Sequence, residues 1–325
     1  MQVPKIVLPI IVFSQFCCTS LWFASNGVIA DMVATFQLPA DSLSHMTSAV
    51  QFGFISGTLL FAVFNITDRF SPSKVFMVCA LIGAMFNACA IWDGNSLASL
   101  LTVRFLTGFF LAGIYPVGMK IASDYYDKGL GKSLGFLVGA LVLGTAFPHL
   151  LKALNGALPW RFVILTTSCL AILGGILMIF LVPDGPYRKP SQGVRLSAFF
   201  KVFLNRKFRA SAFGYFGHMW ELYAFWAFVP VILTVYNDMH AQSELNIPLL
   251  AFCIIGVGSI ACVLGGYLSQ IIGTKKTAFW ALLLSCACCL LLPLAFSIPE
   301  KSIFIAFLAF WGMVVIADSP LFSTL

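Results

Sequence analysis

The sequence predicts an all-α fold, a polytopic bundle of membrane-spanning helices, and three observations support it. Hydrophobic residues make up 60% of the 325-residue chain and charged residues only 10%, which is more apolar surface than a soluble globule buries. Apolar stretches of about 20 residues, the length that crosses the hydrocarbon core as a helix, recur between short polar breaks. Segments of about 10 residues with alternating polarity, which predict a transmembrane β-barrel, are missing from the sequence.

Hydropathy and loop signals predict ten spans. They cover residues 6–30, 46–67, 74–92, 96–122, 131–153, 160–182, 208–236, 247–272, 277–296 and 302–323. The longest polar break, residues 183–207, carries three prolines and six basic residues and follows the sixth span. We therefore predict an N-terminal six-helix bundle over 1–182, a basic cytoplasmic linker over 183–207 and a bundle of four helices over 208–325. The linker is an ordinary basic loop or a segment that touches anionic lipid.

The distribution of Lys and Arg predicts the orientation of the bundle. With the N-terminus in the cytoplasm, fifteen of the nineteen basic residues fall in or beside cytoplasmic segments. The opposite loops hold only Lys152, Arg161 and Lys301, an imbalance that follows the positive-inside rule. We expect an integral protein of the plasma (cytoplasmic) membrane. The net charge of +7 is attributed to this orientation and not to nucleic acid binding.

The sequence argues against enzyme chemistry and against a cofactor. Ten cysteines are scattered along apolar segments without the spacing of metal ligands, and we expect them to be small buried thiols. A nucleophile-elbow pattern is missing, and acidic groups within the spans are too few and too separated to form a catalytic pair. We therefore expect no catalytic residue, no metal and no cofactor.

Two tight basic turns occupy corresponding places in the two halves of the chain. The first follows span two and the second follows span eight; their charged and glycine residues are Asp68, Arg69 and Lys74, and Gly266, Gly273, Lys275 and Lys276. The charges of such a short loop can pair with neighbouring helix ends and hold one conformation, as a gate. An ordinary basic loop is the alternative.

These turns resemble a motif repeated in the major facilitator superfamily, in which a glycine, an Asp-Arg pair, a second glycine and basic residues join the second and third helices. In the first copy Phe64 and Ser71 stand where glycines are usual, and in the second Gln270 replaces the acid. Span four is similar to the fourth-helix signature of the family, through Arg104, Gly108 and Pro116.

Span five carries Gly135, Gly139 and Gly144 and resembles the glycine-rich fifth helix of family exporters, without its Gly-Pro pair. Small residues that let helices approach closely explain it equally well. The resemblance implies twelve helices, of which about ten are present here. We expect a C-terminally incomplete chain, either a fragment or a shortened protein that a partner stabilises.

Ionisable side chains within the spans are the main candidates for substrate or proton coupling. A charge at mid-bilayer costs about 2.5–3.5 kcal/mol on insertion scales, so each needs a partner or a wet cavity. His218 and Glu221 lie three residues apart on one helical face, where they can share a proton. Asp318 lies beside Pro320, which can bend the last span, and Arg104 can bind an anion. The alternatives are a glutamate bonded within the bundle, a solvated gate charge at Asp318 and a structural hydrogen-bonding post at Arg104.

Other polar and aromatic residues within the spans are candidates for lining a cavity. Interfacial anchoring or core packing is the alternative for each of them. They are Trp22, Asn26, Gln51, Tyr115, Lys120, His149, Trp220, Tyr223 and Trp226.

The resemblance implies a secondary active transporter that moves a small solute by alternating access. We expect proton coupling as a symporter, a possibly anionic substrate, contact with membrane lipid and a monomeric state. The alternatives are a multidrug-type exporter, a non-transporting receptor or scaffold, and a channel. Neither the substrate nor the direction of transport follows from the sequence.

Overall fold

The computed structural model of the chain describes residues 6–126, 130–154, 159–188, 201–240 and 244–322, and the regular elements among them are all helical. The chain divides into two compact units, Met1–Leu196 (unit 1) and Ser197–Leu325 (unit 2). The predicted all-α fold is therefore confirmed.

Unit 1 is built from helices that alternate with short turns. They are α1 (Val7–Thr19), α2 (Ile29–Phe36), α3 (Ser42–Val63), α4 (Ile66–Arg69), α5 (Pro72–Cys89), α6 (Leu97–Leu111), α7 (Tyr115–Tyr125), α8 (Leu130–Leu154) and α9 (Arg161–Leu181). Helix α3 packs along α6, α5 packs on α9, and α1 packs against both α8 and α9.

Unit 2 begins with the longest described helix. Its helices are α10 (Arg206–Met239), α11 (Ile247–Gly256), α12 (Gly258–Ile272), α13 (Thr274–Ala295), α14 (Lys301–Val314) and α15 (Ser319–Phe322). Asn205, Asn246 and Glu300 cap the N-termini of α10, α11 and α14, because their side chains accept hydrogen bonds from first-turn N–H groups. Helix α14 packs against α11, α12 and α13.

Nine of the described helical segments are long and apolar enough to cross a membrane, and they correspond to the second through tenth predicted spans. In place of the first predicted span, α1 has 13 residues and continues through tight turns into a 3₁₀ segment, Asn26–Val28, and α2. Main-chain bonds in this region join residues three apart, such as Trp22 N–H to the Thr19 carbonyl at 3.0 Å.

Five of the ten cysteines are exposed, so the prediction that the cysteines are buried thiols is wrong for half of them.

Prolines interrupt two predicted spans. Pro116 is the second residue of α7, which follows a turn at residues 112–114, and Pro320 is the second residue of α15, which follows a turn at residues 315–318. Proline has no N–H, and its ring crowds the carbonyl four residues earlier. Yet Pro148 and Pro230 lie inside the unbroken helices α8 and α10. The presence of a proline therefore does not by itself locate a break.

Small residues let α3 and α6 approach at their crossing. A methyl group at Gly53 would overlap the carbonyl of Phe105, and one at Gly108 would overlap the carbonyl of Val50. Close backbone approach of this kind is the usual packing mode of helices in lipid. It places the turn at the end of α3 beside the C-terminal end of α6.

The segment that follows α9 is bonded to other parts of unit 1. Tyr125 Oη donates to the Pro183 carbonyl at 2.5 Å, and Ser71 Oγ donates to Asp184 at 2.6 Å. The N–H of Tyr187 donates to the Asp124 carbonyl at 2.9 Å. The first residues of the predicted linker are thus anchored to unit 1, and residues 189–200 lie outside the described residues.

Candidate functional site

A buried pair of titratable side chains lies inside unit 2. His218 on α10 and Asp318 in the turn before α15 are each only 1% exposed. His218 Nδ1 lies 3.0 Å from Asp318 Oδ1. The break before Pro320 brings Asp318 into contact with α10, because α15 packs on that helix. Because Asp318 is buried, it does not fit the alternative from the sequence analysis, in which it is a solvated gate charge.

Glu221 lies one helical turn along α10 from His218. Its carboxylate accepts a hydrogen bond from Ser285 Oγ on α13 at 2.6 Å, and that hydroxyl accepts one from Trp311 Nε1 on α14 at 3.0 Å. Glu221 also interacts electrostatically with both His218 and Asp318. Three titratable groups and two polar partners from four segments of unit 2 therefore form one cluster.

The charge balance of this cluster depends on one proton. With the imidazole of His218 protonated and both carboxylates ionised, the cluster carries one net negative charge. One further proton makes it neutral. A net charge is costly inside a membrane bundle, so the negatively charged cluster is less stable than the neutral one when water is excluded. Binding of one proton would therefore change the net charge of the cluster from one negative charge to none.

Arg104 lies in a separate polar group inside unit 1 and is 1% exposed. Its Nη1 donates to the Leu21 carbonyl at 3.1 Å and to Asn87 Oδ1 at 3.3 Å, and its Nη2 donates to the Trp22 carbonyl. Those carbonyls belong to the irregular segment after α1. The guanidinium supplies donors that a regular helix would have supplied, and this geometry matches the structural post.

The first basic turn, which includes α4, forms charge pairs within unit 1. Lys120 Nζ on α7 lies 3.1 Å from Asp68 and 3.7 Å from Asp124. Arg188 pairs with Asp184 and donates to the carbonyls of Asp68 and Phe70, at 3.3 and 2.8 Å. Asp68 therefore joins the turn to α7, as the gate hypothesis requires, while Arg69 and Lys74 are exposed.

The second basic turn has a backbone that favours glycine. Gly273 joins α12 to α13 with φ of +93°, a region that side chains rarely adopt. Gly266 lies on α12 with open space around the position of a Cβ. Lys275 is exposed in the first turn of α13. A role for these three residues in a gate stays a prediction.

The aromatic and polar candidates for a cavity occupy different environments. Trp22 is buried and donates to Gln51 Oε1 at 3.4 Å, and Asn26 donates to Thr47 Oγ1 at 2.9 Å. The remaining candidates divide between buried side chains, a half-buried one and an exposed one: Tyr115, His149 and Trp226 are buried, Tyr223 is half-buried, and Trp220 is 79% exposed. Because Trp220 lies near the middle of α10, its exposure does not identify it as an interfacial anchor, and its role stays a prediction.

Several residues of these sites were not found from the sequence. Ser285, Trp311 and Asn87 are partners of the predicted charges, and each lies in a strongly apolar span. A lone amide such as Asn87 in a span is a usable signal, because it must find acceptors inside the bundle. In the part of the chain that the structure describes, no three His, Cys, Asp or Glu side chains are grouped to hold a metal ion.

Comparisons with known proteins agree on one family. The profile described as Major Facilitator Superfamily matches residues 11–325. A curated relative, the efflux pump FUBT of Fusarium oxysporum, is 27% identical over 47% of this chain and 26% of its own length. Across the curated relatives that match, the alignments span 26% to 50% of the relative.

Two solved structures share the fold. The nucleoside transporter NupG superposes with a TM-score of 0.70 at 16% identity, covering 98% of this chain and 81% of that one. The proton:xylose symporter XylE superposes with a TM-score of 0.63 at 14% identity, covering 97% and 80%. At such identities the likeness concerns the fold. Together with the family profile, it shows that this chain belongs to the major facilitator superfamily, a family of membrane transporters and not of enzymes.

Proposed function

We propose that this chain works as a proton-coupled secondary transporter of a small solute and that the cluster of His218, Glu221 and Asp318 carries the coupling proton. The observation that supports it is the buried His218–Asp318 pair with Glu221 one helical turn away. Alternating access requires the same site to face each side of the membrane in turn. A site that becomes neutral with one proton can make that change at lower cost when it is loaded.

Glu221 is the group most suited to exchange its proton. His218 and Asp318 already face each other at ion-pair distance and are buried, whereas Glu221 is half-buried and accepts from a hydroxyl, Ser285. A hydroxyl can also accept a hydrogen bond from a protonated carboxyl, so Ser285 can bond to either form of Glu221. The neighbouring pair then sets the electrostatic background in which Glu221 titrates.

The solute is proposed to be a small molecule, and its chemical class is the subject of the first experiment below. Arg104 donates to main-chain carbonyls, which supports its structural role and weakens the case for an anionic substrate based on this residue. We also propose, as the sequence predicts, a monomer in the plasma membrane with its N-terminus in the cytoplasm.

The first experiment identifies the solute. Proteoliposomes containing the full chain are given an inward proton gradient, and uptake of a nucleoside, a pentose, an organic anion and a hydrophobic drug is measured. Accumulation of one of them that collapses with a protonophore supports proton-coupled transport. Binding by thermal shift without flux would favour the receptor alternative, and a gradient-driven current that Glu221→Gln does not change would favour a channel.

The second experiment tests the proton site with Glu221→Gln. A glutamine keeps the shape and a hydrogen bond to Ser285 but cannot titrate. We expect exchange of labelled for unlabelled solute at equal pH to continue, because exchange needs no net proton movement. Accumulation driven by a pH gradient should be lost. The matched control is Glu244→Gln, an exposed glutamate in the same unit. Full pH-driven accumulation by Glu221→Gln would exclude the proposed role.

An exporter is the second candidate, because the matched relative FUBT carries the name of an efflux pump. In that case solute and proton move in opposite directions. Inside-out vesicles with an acidified lumen distinguish an exporter from a symporter. Protons leaving the lumen drive solute into the vesicle only if solute and proton move in opposite directions.

A further inference from the structure

The surface of unit 1 carries an apolar groove at the end where α3, α4 and α5 meet. Its volume is about 690 Å³, within the range of small-molecule sites. Leu60 of α3 and Phe64, the residue after that helix, form one wall. Helix α5 forms the other with Val75 and Val78, and Phe109 of α6 also lines the groove. The groove is a feature of one unit alone.

The polar groups of this groove are gathered at one end. Arg69 ends α4, Ser71 lies between the helices and Lys74 is in the first turn of α5. The other lining residues are apolar or, at Cys79, a thiol. Leu60 lies in the last turn of α3 and Phe64 directly after that helix, and one helical turn is about 5.4 Å long. The groove therefore runs from a cationic end, at the membrane surface, into the apolar layer.

The two cations at this end differ from the other described cations of unit 1. Lys120, Lys152, Arg161 and Arg188 each pair with an aspartate, and Arg104 donates to carbonyls. Among the described residues, the side chains of Arg69 and Lys74 have no ion pair or hydrogen bond, and both are exposed. The nearby carboxylates Asp68 and Asp184 bind Lys120 and Arg188 instead. Two positive charges are therefore available at the mouth of the groove.

We infer that this groove binds an anionic phospholipid, with the headgroup phosphate on Arg69 and Lys74 and an acyl chain along Leu60, Phe64 and Val78. Charge complementarity supports an anionic headgroup, because Arg and Lys are the side chains that bind phosphate. The apolar walls support a lipid over a soluble phosphate. Phe64 and Val78 are 54% and 45% exposed in the chain, so an acyl chain can reach them.

The test compares lipids on the purified full chain by native mass spectrometry. Dioleoylphosphatidylglycerol and dioleoylphosphatidylcholine are titrated separately, and apparent dissociation constants are measured. We expect tighter binding of the anionic lipid. The double variant Arg69→Gln with Lys74→Gln should weaken it about 30-fold, since a basic residue near the surface contributes about 1 kcal/mol. Binding of the zwitterionic lipid should change little.

Two further variants separate this site from general charge attraction. Arg206→Gln with Lys207→Gln removes two exposed cations at the start of α10, in unit 2, that do not line the groove, and should leave the anionic preference intact. Val78→Gln keeps both groove cations and should weaken binding of the anionic lipid, because it makes one wall of the groove polar. Both surfaces are exposed, so these variants are expected to fold.

Three outcomes would overturn the inference. The first is unchanged binding in the Arg69 and Lys74 double variant. The second is an equal loss in the Arg206 and Lys207 control, which would show only non-specific attraction to positive charge. The third is displacement of the lipid by millimolar inorganic phosphate with no effect of Val78→Gln, which would indicate an anion site without a role for the groove.

Discussion

A guanidinium buried in a membrane bundle needs acceptors, and Arg104 finds them in the main chain. The turns after α1 leave the carbonyls of Leu21 and Trp22 without the usual helical donors, and Arg104 donates to both. Asn87 accepts from the same guanidinium and donates to Thr167 and Ser168. One arginine therefore joins three segments of unit 1, which gives the residue a structural reason to be charged.

Substitution of Arg104 tests this role against anion binding. Arg104→Met removes the guanidinium donors of the Trp22 carbonyl and the Asn87 amide oxygen, and it leaves the Leu21 carbonyl with the long 3.5 Å bond from the Ala24 N–H. Each acceptor that loses its donor costs about 1–3 kcal/mol. We expect a clear drop in the unfolding temperature of the detergent-purified protein, with or without solutes. The control Arg161→Met breaks an exposed pair with Asp93 and should cost about 1 kcal/mol or less. An unchanged unfolding temperature, with loss of stabilisation by anionic solutes alone, would instead support anion binding by Arg104.

The helices themselves could be predicted from hydropathy, whereas their interruptions could not. Nine predicted spans are present because about 20 apolar residues in lipid must bond their own backbone. Pro320 and Pro230 both lack an N–H, yet the helix is broken before Pro320 and continues through Pro230. The difference therefore comes from the surroundings of each proline. The close packing of helices at glycines could not be predicted from the sequence either, because it depends on which residue of a neighbouring helix faces each glycine.

Two glycines of α8 give a matched test of helix packing. A methyl group at Gly144 would overlap Thr19 Oγ1 and crowd the Phe16 carbonyl on α1, whereas a methyl group at Gly135 would have open space around it. Gly144→Ala should destabilise the protein by about 1–3 kcal/mol through overpacking. Gly135→Ala should be neutral or stabilise it by up to about 1 kcal/mol, because alanine favours helix. Thermal unfolding of both variants measures the difference, and equal shifts would contradict this account of α1–α8 packing.

At the scale of the whole molecule, the candidate site could be predicted only in part. The i, i+3 spacing placed His218 and Glu221 on one face of a helix, and the cost of charge in lipid marked Asp318. Their meeting depends on the packing of α15 on α10, which no local pattern reports. The same limit applies to Lys120, which the sequence offered for a cavity and which the fold pairs with Asp68 and Asp124.

The orientation of the molecule is the remaining prediction at this scale, and it rests on the charge distribution. The loop between α5 and α6 contains Asp93 and no Lys or Arg, whereas residues 183–207 carry six basic residues. Basic segments stay in the cytoplasm during insertion. An epitope inserted after Gly94, which is exposed, should therefore bind antibody on intact cells. The same epitope inserted within residues 189–200 should bind only after permeabilisation, with a cytosolic marker protein as the control for intact membranes. The reverse pattern would place the N-terminus outside and the cationic end of the proposed lipid groove at the outer surface.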